Sequence, residues 1–142
     1  MIGVVLHLPE SEDAARQWEY ALCHFAPDVI YLVGSERPEG FVYQNVVLID
    51  DSSDLPPSST LVLLAPLTGR IVQGDVSLAD FVHPADAIYW FGPNIAEHMD
   101  PSVYMASRAP DHVVYVPTDS DDQMYAWTVY AVVAWDRRAK SV

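Results

Sequence analysis

Apolar positions along the chain fall into short, mostly unbroken runs. Six stand out: Val4 to Leu8, Val29 to Val33, Val46 to Ile49, Leu61 to Ala65, Ala87 to Phe91 and Val113 to Val116. Continuous rather than alternating runs are the mark of strands buried on both faces, as in a parallel sheet covered by helices. Two further segments repeat at helical spacing. From Glu12 to Phe25, the residues Ala14, Ala15, Trp18, Ala21, Leu22 and Phe25 share one stripe. Ser11 is placed to cap this helix, Glu12 and Asp13 suit its positive end, and Pro27 marks its exit. The second helix is expected over Met124 to Lys140. Its middle, Ala126 to Trp135, is apolar nearly all round, which predicts burial in the fold or at a subunit interface. Arg137, Arg138 and Lys140 fall in its last turn, where cations are favoured. A short helix is expected near Ser77 to Val82.

The segments between these elements punctuate the chain. Gly34 to Gly40, Asp50 to Ser59, Leu67 to Asp75 and Gly92 to Pro110 read as loops. There is no internal repeat, no low-complexity tract and no interdomain linker, so the 142 residues are expected to form one domain. Strands alternating with helices predict an α/β three-layer sandwich with a mainly parallel sheet. Ligands of such sheets bind beyond the carboxyl ends of the strands, here the segments after Ala65, Phe91 and Val116.

Composition narrows the class. Hydrophobic residues make up 51% and charged residues 19%, which favours a globular chain over a disordered one. No apolar run approaches the roughly 18 residues that span a bilayer. The opening Met1 to Leu8 lacks a basic stretch and stops at Pro9-Glu10, so it reads as a first strand and not as a signal peptide. A cytoplasmic protein without a membrane partner is the expectation. Cys23 is the sole cysteine, which excludes an intrachain disulfide and argues against a multi-cysteine metal site. It is expected to be a small buried residue. Seven basic residues face 20 acidic ones, a net charge of −13. An acidic surface repels nucleic acid, because phosphate binding relies on basic side chains displacing counterions. RNA is thus disfavoured as a partner on charge alone. Acidic chains with few lysines, and Lys140 is the only one here, also suit a high-salt cytoplasm.

Most chemical motifs are missing. The five histidines, His7, His24, His83, His98 and His112, show no metal-ligand spacing with one another or with Cys23, so each is expected to be structural or solvent-facing and no metal is expected. There is no G-x-S-x-G elbow, no G-x-x-x-x-G-K-[ST] loop and no G-x-G-x-x-G after a strand. The acidic clusters Asp50 to Asp54 and Asp119 to Asp122 lack the spacing of a calcium loop and read as solvated loops with helix-capping acids.

Three ordered blocks carry a resemblance. Met1 to Phe25 forms a strand and helix with a Pro9-Glu10 step between them. His83-Pro84-Ala85-Asp86-Ala87-Ile88-Tyr89-Trp90-Phe91-Gly92-Pro93-Asn94 reads as a strand and glycine loop. Val116-Pro117, a polar loop, Met124 and a small-residue apolar helix lead to Asp136-Arg137-Arg138. Together these blocks resemble the SPOUT (trefoil-knot) superfamily, and most closely its small tRNA ribose 2′-O-methyltransferases, in which the second block is usually written with F-G-P-E. The resemblance covers most of the chain in outline. It implies a C-terminal trefoil knot, S-adenosylmethionine as cofactor, RNA as substrate and a homodimer built on the C-terminal helix. By the same carry-over the cofactor would be held by Ala65, Leu67, Gly92, Asn94, Val116, Pro117 and Met124. Glycine at position 92 would let a ligand approach the backbone closely.

The departures fall at catalytic positions. The asparagine and arginine of the family's first helix are replaced by Ala14 and Tyr20, and Arg16 stands one turn before Tyr20 on the same helix. Asn94 replaces the acidic residue after Gly-Pro, Tyr125 replaces the asparagine of the last motif, and the stretch from Gly34 to Gln44 is short for the helix usually found there. Arg16, Tyr20 and Tyr125, with Arg108, are the candidates to act on substrate. Methyl transfer to a ribose hydroxyl needs that hydroxyl polarised and held in line with the sulfonium methyl, and no residue stands out as general base. Three readings stay open: an S-adenosylmethionine-dependent RNA methyltransferase, a catalytically silent scaffold of the same fold, and an unknotted flavodoxin-like or Rossmann-like ligand-binding domain.

Overall fold

The computed structural model describes residues 1–7, 11–34, 41, 43, 45–64, 76–92, 107–119 and 124–141. Every predicted apolar run becomes a strand. In chain order these are β1 (Ile2–His7), β2 (Val29–Val33), β3 (Val46–Ile49), β4 (Thr60–Leu64), β5 (Val76–Ser77), β6 (Ala87–Phe91) and β7 (His112–Tyr115), of which β5 alone went unmarked by the pattern. The helices are α1 (Glu12–His24) and α2 (Ala126–Lys140).

The seven strands form one sheet in the order β3-β2-β1-β6-β4-β7-β5, and every pairing is parallel. All carboxyl ends therefore emerge on one edge. The chain runs outward from β1 through β2 to β3, crosses to the other side at β4, and later fits β6 between β4 and β1, so the strand order switches between β1 and β6. Gly3 permits that close packing. A Cβ there would meet Tyr31, Ile88 and Val29 at 3.1, 3.2 and 3.3 Å.

Alternate residues of each strand feed two apolar clusters. One face carries Val4, Leu6, Leu32, Val62, Leu64, Tyr89 and Phe91. Both helices cover it, α1 with Trp18 and Leu22, α2 with Ala126, Tyr130 and Val133. Trp18, Phe91 and Tyr130 meet edge-on or tilted, with ring centroids 5.4 to 6.0 Å apart. The other face carries Val5, Tyr31, Leu63, Ile88 and Trp90, with Leu55 packed on it. Among the described residues no helix lies on that second face, so the sandwich's third layer and the threading of the predicted knot fall outside what is described.

Local signals explain the helix limits. The Ser11 hydroxyl accepts from the Ala14 N–H at 3.1 Å, so α1 starts where its cap predicts. α2 begins at Ala126, two residues later than expected, and Tyr125 at its N-cap makes no side-chain capping bond. The short helix expected near Ser77 to Val82 is only a 3-10 turn, Leu78–Asp80. Phe81 then extends, and its ring joins the core. The 50–54 acids act as caps. Asp51 accepts from Ser53 and Asp54 from Asp50, both at 2.8 Å, around a 3-10 turn at Ser52–Asp54.

One expectation needs correction. Cys23 is exposed, not buried. The buried stripe of α1 runs through Ala14, Ala15, Trp18 and Leu22, and Cys23 lies one step round the helix from it. α2 is buried on one side only, since Val132 and Trp135 remain exposed. No described helix is long and apolar enough to cross a membrane.

Candidate functional site

The carboxyl edge of the sheet gathers the cofactor candidates that can be placed. Leu64 of β4 pairs with both Phe91 of β6 and Val114 of β7, so the chain leaves all three strands side by side. Gly92 follows β6 directly, and Val116-Pro117 follow β7. Ala126, at the start of α2, is buried in the same cluster as Leu64 and Phe91, and Val116 and Trp127 pack against it. Gly92, Val116, Pro117 and Met124 are thus brought to one edge. Ala65, Leu67 and Asn94 lie outside the described residues. The described part of this edge offers apolar surface from Val116 and the backbone of Gly92.

The substrate candidates are less gathered. Arg16 is exposed on α1 and, among the described residues, makes only a 3.5 Å surface pair with Asp13. Tyr20 is 61% exposed on the same helix. Ala14 is buried. α1 starts four residues after β1 ends, so Arg16 lies nearer the carboxyl edge than Tyr20, by about 6 Å of helix rise. No described contact joins either to that edge. Tyr125 is 61% exposed and stacks on Trp127 at 4.7 Å between centroids, with ring planes 13° apart. Arg108 does not face outward. Its guanidinium donates to the Pro56 and Ser59 carbonyls at 3.0 and 2.6 Å, and its backbone N–H donates to the Ser52 hydroxyl at 3.1 Å. It ties the 107–110 segment to the 52–59 loop.

Sequence reasoning passed over His7. It ends β1 at the strand-order switch, where such sheets bind ligands. Val5 pairs with Trp90, so the same register carried two residues on puts His7 alongside Gly92. The Trp90 indole N–H donates to His7 Nε2 at 3.0 Å. Indole is only a donor, so this nitrogen is unprotonated and the ring proton sits on Nδ1. Burial pulls the imidazole down to about 4, which keeps it neutral at physiological pH. The signal was a histidine at the end of a strand flanking the switch, readable only once strand order is known.

A second polar group lies at the far end of α2. His83, with a side chain 5% exposed, accepts from or donates to the Tyr89 hydroxyl at 2.8 Å and contacts Asp136 at 2.7 Å. Arg137 donates to the Tyr89 hydroxyl at 2.7 Å and to the Pro84 carbonyl at 2.6 Å. Lys140 donates to Asp136 at 2.8 Å and to the Phe81 carbonyl at 3.0 Å. Burial pulls the His83 imidazole below its ordinary value, against the opposing pull of Asp136. The Asp136-Arg137 pair of the third block therefore clamps α2 to the turn before β6. Among the described residues, no group of three or more His, Cys, Asp or Glu is placed to hold a metal ion.

Comparison with known proteins places the fold. No family model matches the chain, and no curated protein sequence matches it. Solved structures do. A structure described for the 2-OH methylation of C/U34 on tRNA aligns with a TM-score of 0.66 at 17% identity, covering 99% of this chain and 96% of that one. The AdoMet-bound rRNA methyltransferase from Sinorhizobium meliloti aligns at 0.74 and 11% identity, over 99% of this chain and 57% of that one. TrmJ from Z. mobilis ZM4 aligns at 0.65 and 14% identity, over 96% and 66%. The chain is therefore as long as the first of these and spans about two thirds or less of the other two. It shares their α/β fold, as the resemblance of the three blocks implied.

Proposed function

We propose that this protein is an S-adenosylmethionine-binding, RNA methyltransferase-like protein of the SPOUT type. The end-to-end match to the structure for 2-OH methylation of tRNA carries this reading, since each chain is covered almost completely by the other. The placement of Gly92, Val116, Pro117 and Met124 on one edge supports it. In this reading those residues, with Ala65, Leu67 and Asn94, hold the cofactor, which when bound supplies an electrophilic methyl group. Arg16 and Tyr20 on α1 and Tyr125 at the start of α2 meet the RNA. The exposed Val132 and Trp135 are three residues apart on α2 and so share a face. That face is the proposed homodimer interface.

One observation favours a second reading, a catalytically silent scaffold. Ala14 is buried and Arg108 is committed to loop carbonyls, which leaves Arg16 as the only described arginine free to meet substrate from α1. Transfer of labelled methyl from S-adenosylmethionine to bulk tRNA decides between the two. The enzyme reading expects incorporation that Arg16→Ala abolishes. Cofactor binding without incorporation into tRNA or rRNA would establish the silent reading instead.

A further inference from the structure

A cleft of about 430 Å³ lies between the exit of α1 and the second half of α2. That is within the usual range of small-molecule sites, about 300–1,000 Å³. It opens on the amino-terminal side of the sheet, past Ile2 and Asp28, away from the edge that carries Gly92. Val4, Phe91 and Val133 form its apolar floor, and Phe25 and Ala134 its walls.

The mouth is cationic in an otherwise strongly acidic chain. Arg137 and Arg138 both line it, two of only seven basic residues. Arg137 is held rigidly. Its three described bonds go to the Tyr89 hydroxyl and the Pro84 and Ala85 carbonyls. The Tyr89 hydroxyl is braced in turn by His83 Nδ1, and Asp136 holds the other nitrogen of that ring. A guanidinium carries five N–H donors, so two remain. Arg138 is exposed, and its guanidinium makes no hydrogen bond or ion pair among the described residues. Asp28 also lines the cleft and accepts from the Ile2 N–H at 2.7 Å, so its carboxylate offsets one of the two guanidinium charges and leaves the lining net positive by one. Asp136 is paired with Lys140 and His83, and His24 Nδ1 is engaged with the Tyr20 carbonyl at 2.9 Å.

We infer that this cleft is a second ligand site, for a small carboxylate with an apolar body, seated by Arg137 and Arg138 at the mouth and by the Val4–Phe91–Val133 floor. Guanidinium forks match a carboxylate in two parallel bonds, and a guanidinium fixed beforehand loses less entropy on binding. The inference does not depend on the methyltransferase reading, since it uses none of the residues at the carboxyl edge except the buried ring of Phe91.

The test is titration of the full chain with octanoate, octylamine and octanol, read by calorimetry and by methyl NMR shifts. Octanoate should bind with Kd at or below about 1 mM, with octanol weaker by about tenfold and octylamine not binding. Shifts should centre on Val4, Val133 and Ala134. Arg138→Ala should weaken octanoate by about tenfold while leaving octanol unchanged. Ala134→Trp, which fills the mouth from a half-buried position, should abolish both. Equal binding of octanoate and octylamine would overturn the proposal, as would shifts centred elsewhere or no binding of octanoate. Octanoate binding lost whenever the chain self-associates would assign the cleft to a second copy, and would equally overturn it.

Discussion

At the level of single residues, the most informative group is His7. Its imidazole is pulled to about 4 by burial, from an ordinary 6.5. The unfolded chain therefore binds a proton more readily than the folded one between those two values. Stability from this group is complete above about pH 6.5 and is lost as pH falls towards about 4. The full difference is about 3 kcal/mol. Urea titrations at pH 7.5 and 4.5 should show that loss, and His7→Gln should remove most of it while still accepting from Trp90. His83 is depressed as well, so a smaller fall persists in the variant. Arg108 carries a second prediction. Replacing it with Ala strips two part-buried carbonyls of their partner and should cost about 2 kcal/mol in urea unfolding. Arg108→Lys should recover only part of it, because an ammonium cannot fork between Pro56 and Ser59. Neither role was legible beforehand. His7 depends on which strand lies beside β1, and Arg108 on a loop some fifty residues away. Cys23 misled for a different reason: a small apolar residue next to a buried stripe is not on it.

Among the elements, sequence pattern did better. The strands were legible because a sheet buried on both faces requires unbroken apolar runs, as in Ala87 to Phe91. β5 was not, because two residues with one valine carry no period. The expected helix at 77–82 failed through Ser77, whose hydroxyl accepts from the Ala79 N–H at 3.3 Å and stabilises one turn, after which Phe81 serves the core better in extended form. α1 was legible in both stripe and cap. Ser11→Ala should therefore lower stability by about 1 kcal/mol, read as a shift in the thermal midpoint with the fold unchanged. α2 was legible in position and in its core-facing side. Its apolar surroundings are shared between the core, through Tyr130 and Val133, and an outward face at Val132 and Trp135.

For the whole molecule, charge and that outward face set the behaviour. Two copies of a chain at −13 repel one another, and salt screens this over about 8 Å at physiological strength. Light scattering should show a dimer that tightens as salt rises and that Trp135→Glu converts to monomer. The candidate site was legible in outline, because strands that end together bring Gly92 and Val116 together. Its chemistry was not, since Ala14, Tyr20 and Tyr125 supply no evident general base. The central claim is that the carboxyl edge of β4, β6 and β7 binds S-adenosylmethionine, and a calorimetric titration of the purified chain tests it most directly. The account predicts saturable heat at one site per chain, weakened when Gly92 is replaced by valine. Absence of heat at millimolar cofactor would contradict it.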